Sequence, residues 1–311
     1  MALGVTDNHH TYVNVSNMEK SLEFYRDFLG LKQLSDKVVS GDGYDALFGA
    51  QGVSIRVVSL ETDAGGTIAD NRDPQRRIVK LCFWHRPQGK AVPQTACDVG
   101  LHWVGIPIRD LEGLYNRQPR PVYHRFLSTP IHISPVHAVC FVWDPDGVLI
   151  ELTNNNHLSL NVSSHDRALS FYRDVLGLQE ASAGPATAPP SAAMATSEER
   201  RKTVRMWFGL PLPLVEWKNV FAENQLEYRN GRIELGVWQI PEPLPFPADR
   251  KPWDVAVTWA GFRVKNLDAA YKELSGKGYR CLSAPVTVGE PSKRAFLCQD
   301  PDGNIQEFIQ G

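Results

Sequence analysis

The chain has 311 residues, of which 42% are hydrophobic and 22% are charged, and its formal net charge is −2 at pH 7. This length predicts roughly two domains with sizeable cores. The balanced charge gives no electrostatic reason to expect a nucleic-acid partner or an anionic membrane surface. No apolar run approaches the roughly 20 residues that span a bilayer. Because the first residues lack the basic start and apolar core of a signal peptide, we expect a cytoplasmic protein.

An internal repeat is the strongest pattern in the sequence. Tyr12–Leu31 reads YVNVSNMEKSLEFYRDFLGL, and Ser159–Leu178 reads SLNVSSHDRALSFYRDVLGL. The shared NVS, FYRD and LGL groups indicate a duplicated unit. Each copy predicts a strand, then a helix, then a glycine that ends the helix. Shorter relatives lie at Trp103–Leu114 and Trp259–Leu274, so the sequence predicts four such strand–helix starts.

A second repeated phrase predicts a strand, a tight turn and another strand. The turn letters DPDG occupy positions 144–147 and again 300–303. In each turn, proline presets one backbone angle and glycine supplies a positive φ. Glu151 and Glu307 follow the two turns by four residues. A carboxylate on a buried strand needs a partner, because an unpaired buried charge is costly. Both acids are therefore candidate metal ligands.

The remaining strands complete four units of the form βαβββ, with Met206–Phe208 taken as a strand of the third unit. Two irregular stretches interrupt the pattern. Residues 180–202 are rich in alanine, proline and serine, and we expect a mobile surface loop there. Residues 241–252 are rich in proline, which favours an extended linker between the third and fourth units.

On these motifs the chain resembles the vicinal oxygen chelate superfamily, which includes glyoxalase I, bleomycin-resistance proteins, methylmalonyl-CoA epimerase and the extradiol dioxygenases. The resemblance implies an α+β fold of four βαβββ modules paired into two half-open β-barrel domains. The first domain would span residues 1–155 with modules one and two. The second would span residues 156–311 with modules three and four. Four modules in a chain of this length most resemble the extradiol dioxygenases.

The resemblance also implies where metal ligands lie. It carries the first-strand histidine to His10 and His157, the last-strand acid to Glu151 and Glu307, and a further glyoxalase-type acid to Glu234. The position that matches Glu234 in the first module holds Lys80.

Modules two and four depart from the family pattern, because Trp103 and Trp259 stand at their first-strand ligand positions. His102 lies one residue early, where an unbroken strand would direct it to the other face. Pro107 lies in the same strand and favours a bulge, which would turn His102 inward.

Three ligand sets follow from the resemblance. The leading set is His10, His102 and Glu151, a two-histidine, one-carboxylate triad that suits Fe(II) and leaves positions open for substrate and dioxygen. Zn, Ni or Mn are the other candidate metals. A competing set is His157, Glu234 and Glu307. A pairing of modules across the two domains would instead join His157 and Glu234 to Glu151 and His102. The sequence does not choose among these sets.

The resemblance implies a divalent-metal enzyme that acts on an oxygenated aromatic small molecule, whose adjacent oxygens chelate the metal. Extradiol-type dioxygenation is the leading hypothesis, with His132 moving a proton and with Trp103 and Phe141 walling the substrate. Phe141 stands where those dioxygenases place a tyrosine. A glyoxalase-like isomerase or lyase is the first alternative, and a metal-free protein that sequesters a flat ligand is the second. We expect a small-molecule partner, and the pattern leaves homo-oligomerisation open.

Overall fold

The computed structural model describes residues 3–62, 78–92, 94–117, 125–134, 137–153, 157–180, 198–210, 213–222, 232–256, 258–289 and 292–310. Within these ranges the chain is a mixture of strands and helices, as the α+β prediction requires. No helix in the described ranges is long and apolar enough to cross a membrane.

The first half of the chain contains the first two modules. Module one comprises β1 (Val5–Asn14), α1 (Met18–Leu22) with a π-helical continuation (Glu23–Phe28), β2 (Lys32–Ser40), α2 (Asp42–Phe48), β3 (Ser54–Glu61) and β4 (Ile78–Arg86). Module two comprises β5 (Gly100–Pro107), α3 (Leu111–Asn116), β6 (Arg125–Phe126), β7 (Ile131–Ser134), β8 (His137–Trp143) and β9 (Leu149–Thr153).

The second half repeats this order of elements. Module three comprises β10 (His157–Asn161), α4 (His165–Leu169) with a π-helical continuation (Ser170–Val175), β11 (Gln179–Glu180), α5 (Glu198–Phe208), β12 (Leu214–Phe221) and β13 (Arg232–Ile240). Module four comprises β14 (Thr258–Val264), α6 (Leu267–Gly276), β15 (Val286–Val288), β16 (Lys293–Gln299) and β17 (Ile305–Gln310).

Helix α5 corrects one sequence prediction. The strand expected at Met206–Phe208 is the last turn of this helix. Val204 and Phe208, four residues apart, are both buried, which is the spacing of one helix face. Of the predicted loop 180–202, residues 181–197 lie outside the described ranges, and α5 begins at residue 198. Residues 241–252 form no helix or strand, as the proline content predicts.

The strands form two sheets, and each sheet combines the strands of two modules. The first sheet has eight strands in the order β15-β16-β17-β14-β1-β4-β3-β2. The second sheet has nine, in the order β11-β12-β13-β10-β5-β9-β8-β6, with β7 paired to β8. Four βαβββ modules in two curled sheets agree with the predicted fold.

The pairing of modules differs from the predicted order. The first sheet joins modules one and four through the antiparallel pair β1 and β14, and the second joins modules two and three through β10 and β5. The expected domains, 1–155 and 156–311, are therefore not separate barrels, because each contributes half of each sheet. The four first strands resemble one another, so local sequence pattern does not select the partner of any one of them.

The repeated motifs hold neighbouring modules together. The Tyr25 hydroxyl of the first FYRD group donates to Asp144 of the first DPDG turn at 2.9 Å, and Tyr172 donates to Asp300 of the second turn at 2.8 Å. Each bond joins the helix of one module to the turn of the module that follows it. We conclude that both motifs are part of the scaffold.

Each sheet has one face in a large shared core and one face with a smaller hydrophobic cluster of its own. Along β5, Val104 lies in the shared core and Trp103 lies in the cluster of the second sheet. Along β1, Val13 lies in the shared core and Tyr12 lies in the cluster of the first sheet. This alternation follows from the two-residue period of a strand. The histidines and glutamates of the candidate sites lie on the two faces that carry these smaller clusters.

Candidate functional site

Three potential metal ligands converge on the second sheet. Glu151 comes from β9, His157 from β10 and Glu234 from β13. His157 Nε2 lies 2.8 Å from Glu151 Oε2 and 3.7 Å from Glu234 Oε2. All three ligand atoms lie within 4.8 Å of one another. We call this group the second-sheet centre.

A glycine on β5 brings the first two of these side chains together. Gly105 is in register with His157 on one side and with Glu151 on the other. The imidazole lies directly over this residue, and a Cβ atom at Gly105 would overlap the His157 ring. Glycine is therefore required at this position, because any larger residue would displace the histidine.

A hydrogen bond and an ion pair from outside the centre hold its two carboxylates. Trp103 Nε1 donates to Glu151 Oε2 at 2.9 Å, and Arg232 Nη2 lies 2.8 Å from Glu234 Oε1. The His157 side chain is fully buried, while the Glu151 and Glu234 side chains are 8% and 16% exposed. The centre is thus enclosed, and Glu234 is its most accessible member.

The donor chemistry of the centre fits a divalent cation. Imidazole and carboxylate ligands bind such ions at about 2.0–2.2 Å, so ligand atoms that share one ion lie roughly 3 to 3.5 Å apart. The observed separations of 2.8 and 3.7 Å lie on either side of this range. Within the described ranges, Glu151, His157 and Glu234 are the group of His, Cys, Asp and Glu side chains arranged to hold a metal ion.

Aromatic side chains form one wall of the centre. Phe141 on β8 is in register with Glu151, and its ring meets Trp103 edge-on at 5.6 Å. Phe208 at the end of α5 lies 4.6 Å from Phe141 and 5.6 Å from Trp103. Helix α5 therefore packs over the aromatic face of the second sheet.

The first sheet contains a counterpart of this arrangement. His10 Nε2 lies 2.7 Å from Glu307 Oε2, and both side chains are buried. Gly261 is in register with His10 and with Glu307, as Gly105 is with His157 and Glu151. A Cβ atom at Gly261 would likewise overlap the histidine ring. The two sheets thus present the same histidine–glycine–glutamate geometry.

The third donor differs between the two sheets. Lys80 on β4 is in register with Tyr12, as Glu234 on β13 is with Ser159. Lys80 Nζ lies 3.2 Å from the Tyr12 hydroxyl, which itself donates to Glu307 Oε2 at 3.1 Å. In its protonated form this amine cannot ligate a cation and repels one. Among the described residues, the first sheet therefore has no counterpart of the Glu234 carboxylate.

Burial and nearby charges shift the pKa values of the first-sheet groups. Burial, together with nearby Lys80, holds the pKa of His10 well below its ordinary value. Burial and the neighbouring Lys293 lower the pKa of Lys80 to about 7. Burial alone would raise the pKa of Glu307, but Lys293 and His10 hold it well below the ordinary range. Glu307 is therefore ionised and His10 is neutral at pH 7.

The leading ligand set from the sequence is not assembled. His10 lies on the first sheet with Glu307, whereas Glu151 lies on the second sheet with His157. The set was wrong because it assumed that modules one and two share a sheet. His102 is the extra residue at a register shift in β5, since Trp103 is in register with Ser159 and residue 101 with residue 160. The bulge thus lies at His102 itself, whose side chain is outside the described residues.

The other predicted site residues divide between the two sheets. The competing set of His157, Glu234 and Glu307 is also wrong as a group, because Glu307 lies on the first sheet. The third predicted set joined His157 and Glu234 to Glu151 and His102. Three of these residues, His157, Glu234 and Glu151, lie together. The predicted proton shuttle, His132, is 58% exposed on β7 and contacts Glu112 at 3.2 Å, not the second-sheet centre.

Trp103 and Phe141 lie at the second-sheet centre, and Trp103 also holds Glu151. Their predicted role as walls of a substrate site stays a prediction. The first-sheet lysines, Lys80 and Lys293, were not predicted as site residues. The match between Lys80 and Glu234 in the repeat was the available signal for Lys80.

Comparisons with known proteins agree with this architecture. A family model described as “Glyoxalase/Bleomycin resistance protein/Dioxygenase superfamily” matches residues 8–152 and again residues 155–308. A Synechocystis protein named “Probable lactoylglutathione lyase” is 28% identical over 143 residues, which are 46% of this chain and 91% of that protein.

Among solved structures, glyoxalase I from Zea mays is similar at a TM-score of 0.55 and 13% identity, covering 97% of this chain and 91% of the maize chain. A single-residue variant of the same maize protein gives a TM-score of 0.59 at 14% identity, with coverage of 97% and 91%. Identities this low show a likeness of fold alone.

Proposed function

This chain belongs to the Glyoxalase/Bleomycin resistance protein/Dioxygenase superfamily, and from that premise we propose that it is a metal-dependent isomerase or lyase of the glyoxalase-like type. Its substrate would be a small molecule with two adjacent oxygen atoms. The observation that carries the proposal is the convergence of Glu151, His157 and Glu234 within ligand distance of a single ion.

The three side chains of the second-sheet centre would hold the metal, which when bound acts as a Lewis acid on the substrate oxygens. Trp103 would keep Glu151 oriented through its hydrogen bond, and Arg232 would keep Glu234 oriented through its ion pair. The aromatic wall would exclude water from the centre and support the body of the substrate.

Glu234 is the better candidate for the catalytic base. Glu151 Oε2 is already occupied, because it accepts from Trp103 Nε1 and lies 2.8 Å from His157 Nε2. Glu234 Oε2 is the more distant from His157 and belongs to the most accessible side chain of the centre. In the proposed reaction, Glu234 Oε2 takes the proton from a hydroxyl-bearing substrate carbon beside a carbonyl and returns it to the carbonyl carbon. The hydroxyl proton moves to the former carbonyl oxygen, so that hydroxyl and carbonyl exchange places. The substrate is rearranged, and no further reactant is consumed.

Metal analysis of matched variants tests this proposal. Protein purified without chelators or metal-affinity columns should contain a stoichiometric divalent metal by inductively coupled plasma mass spectrometry. Glu151→Gln should lose the metal, whereas Glu307→Gln, the equivalent change on the first sheet, should retain it. Circular dichroism would establish that both variants are folded. Metal retention by a folded Glu151→Gln protein, or metal loss only in Glu307→Gln, would contradict the proposal.

Activity provides the second part of the test. Lactoylglutathione, the compound in the name of the cyanobacterial relative, is the first substrate to assay. Glu234→Gln should lower kcat by roughly 100-fold or more, the usual contribution of a positioned base. His132→Ala should leave kcat unchanged, because His132 is exposed and contacts Glu112. Equal losses in the two variants would argue against Glu234 as the base.

Extradiol-type dioxygenation is the second candidate function, and the aromatic wall of Trp103, Phe141 and Phe208 favours it. This reaction requires bound iron with a second histidine ligand, and His102 is the candidate for that ligand. Iron as the bound metal, with oxygen-dependent cleavage of a catechol that improves in Phe141→Tyr, would support this candidate. Zn, Ni or Mn as the bound metal would support isomerase or lyase chemistry. Failure of the protein to take up any metal would favour the sequestering role.

A further inference from the structure

A cavity of about 340 Å³ opens on the first sheet, on the face that carries His10 and Glu307. Its polar lining includes Tyr12, Lys80, Lys293 and Glu307, and α2 forms part of its apolar wall. We call it the first-sheet cavity. It is separate from the second-sheet centre, since none of the three residues of that centre lines it.

Positive charge exceeds negative charge in the inner part of this cavity. Lys293 Nζ lies 3.4 Å from Glu307 Oε1, while the other oxygen of Glu307 faces His10 and Tyr12. Lys80 has a hydroxyl, that of Tyr12, as its polar contact, and within the described ranges no carboxylate lies at ion-pair distance from it. With Lys80 protonated and His10 neutral, two ammonium groups face one carboxylate. In that state the interior carries about one unit of positive charge in excess, and a bound anion would favour it by holding the proton on Lys80.

The walls around these charges are aromatic and apolar. Trp259 stacks on Tyr12 with ring centroids 4.6 Å apart and an angle of 22° between the planes. Phe48 from α2 meets Trp259 edge-on at 6.4 Å, and Val39 and Ile55 also line the space. Such a surface matches a flat or apolar body, because burial of apolar area is favourable. Lys37, which also lines the cavity, is exposed to solvent on β2.

From this combination we infer that the first-sheet cavity binds, without a metal, a small organic carboxylate with a flat apolar body. The ammonium groups of Lys80 and Lys293 would pair with the carboxylate, while Trp259 and Phe48 would contact the body. A carboxylate carries the single negative charge that the excess requires, whereas a phosphate monoester carries about −1.5 to −2 at pH 7. A bound anion would also relieve the repulsion between the two lysines, one of the causes of the low Lys80 pKa.

Binding of benzoate, followed by isothermal titration calorimetry, tests the inference. Benzamide has the same ring without the charge, and we expect it to bind at least tenfold more weakly, a difference of about 1.4 kcal/mol. Lys80→Met keeps an apolar stem and removes the ammonium group, and it should weaken benzoate binding at least tenfold. Lys293 lies at the more exposed side of the cavity. Lys293→Met should also weaken benzoate binding.

The metal-deficient Glu151→Gln variant separates this inference from the proposed function. Benzoate should bind this variant as it binds the unaltered chain, because its site lies on the other sheet. Several results would overturn the inference: equal binding of benzoate and benzamide, unchanged binding in Lys80→Met, or loss of binding in Glu151→Gln. Absence of binding at millimolar concentration by each of benzoate, phenylacetate and cinnamate would overturn it as well.

Discussion

Two glycines allow His157 and His10 to lie beside their glutamate partners. Gly105 lies under the His157 ring and Gly261 lies under the His10 ring, and in neither place is there room for a Cβ atom. Neither glycine requires an unusual backbone angle there, since both lie within regular strands. The two sheets thus share a space for an imidazole ring, and the side chains around that space differ.

Gly105→Ala should therefore displace the His157 ring. We expect a loss of about 1–3 kcal/mol in the free energy of unfolding, which is typical of overpacking in a core, together with loss of bound metal. Gly261→Ala is the matched control, because it should destabilise the protein similarly while metal content stays unchanged. Urea denaturation and elemental analysis measure the two effects. Equal metal content in the two variants would show that the position of His157 does not determine metal binding.

At the residue scale, the sequence identified the correct positions but not their partners. Glu151 and His10 were both singled out from the family positions, and both side chains are buried among polar groups. They were assigned to one site because their modules are neighbours in the chain. The partner of each depends on which strands lie side by side, and that is a long-range property that a strand's own pattern does not encode.

At the scale of elements, each FYRD helix is joined to a DPDG turn through a buried aspartate. Asp144 also accepts the backbone N–H groups of Asp146 and Val148, at 2.9 and 2.7 Å. Burial raises the pKa of Asp144 to about 7 and that of Asp300 to about 6. A carboxyl group whose pKa rises on folding binds its proton more tightly in the folded state. Its contribution to stability is therefore fully present below about pH 4 and declines as the pH rises towards 7.

Asp144→Asn should make the free energy of unfolding depend less on pH between about pH 5 and pH 7. In the unaltered protein, the group can account for a decline of at most about 1.4 kcal/mol per pH unit between its unfolded and folded pKa values. The asparagine variant cannot ionise, so its free energy of unfolding should change less between about pH 5 and pH 7. Asp27→Asn is the control, since Asp27 is an exposed partner of Arg26 with a lowered pKa. An identical slope in Asp144→Asn and in the unaltered protein would refute the assignment.

Elements with a clear periodic pattern were the ones that the sequence predicted. The first strand and helix of the repeated modules follow the expected order, as do the strand–turn–strand units that end modules two and four. Strand β2 was missed because seven of its nine residues are exposed, so it shows no apolar alternation. Helix α5 was missed because charged residues dominate its first half, and its buried face is short. Its Glu, Arg and Lys residues favour a helix, and packing of its short apolar face against the sheet adds to its stability.

At the scale of the whole molecule, the two halves of the chain are interleaved through both sheets. The half that ends near residue 155 provides β1–β4 of the first sheet and β5–β9 of the second. Without the other half, β1 and β5 would each present an unpaired edge of N–H and C=O groups, and such edges promote association. The halves are therefore parts of one folding unit.

Expression of residues 1–155 and 156–311 as separate chains tests this view. Each half alone should be aggregated or poorly structured, whereas co-expressed halves should copurify through a tag on one of them. The copurified complex should also bind metal, because Glu151 belongs to one half and His157 to the other. A stable monomer with ordered secondary structure from either half alone would favour the sequential pairing of modules that the sequence suggested.

The order of strands in the two sheets also bears on when each site can form during synthesis. Glu151 and His157 are 6 residues apart along the chain, whereas His10 and Glu307 are 297 apart. Closing the longer loop costs about 3.5 kcal/mol more in chain entropy. All strands around the second-sheet centre have been synthesised by residue 240, but the first-sheet pair needs the last strand, β17. In a nascent chain the second-sheet centre can thus assemble before the C-terminal quarter is synthesised, whereas the first-sheet cavity cannot form until β17 is available.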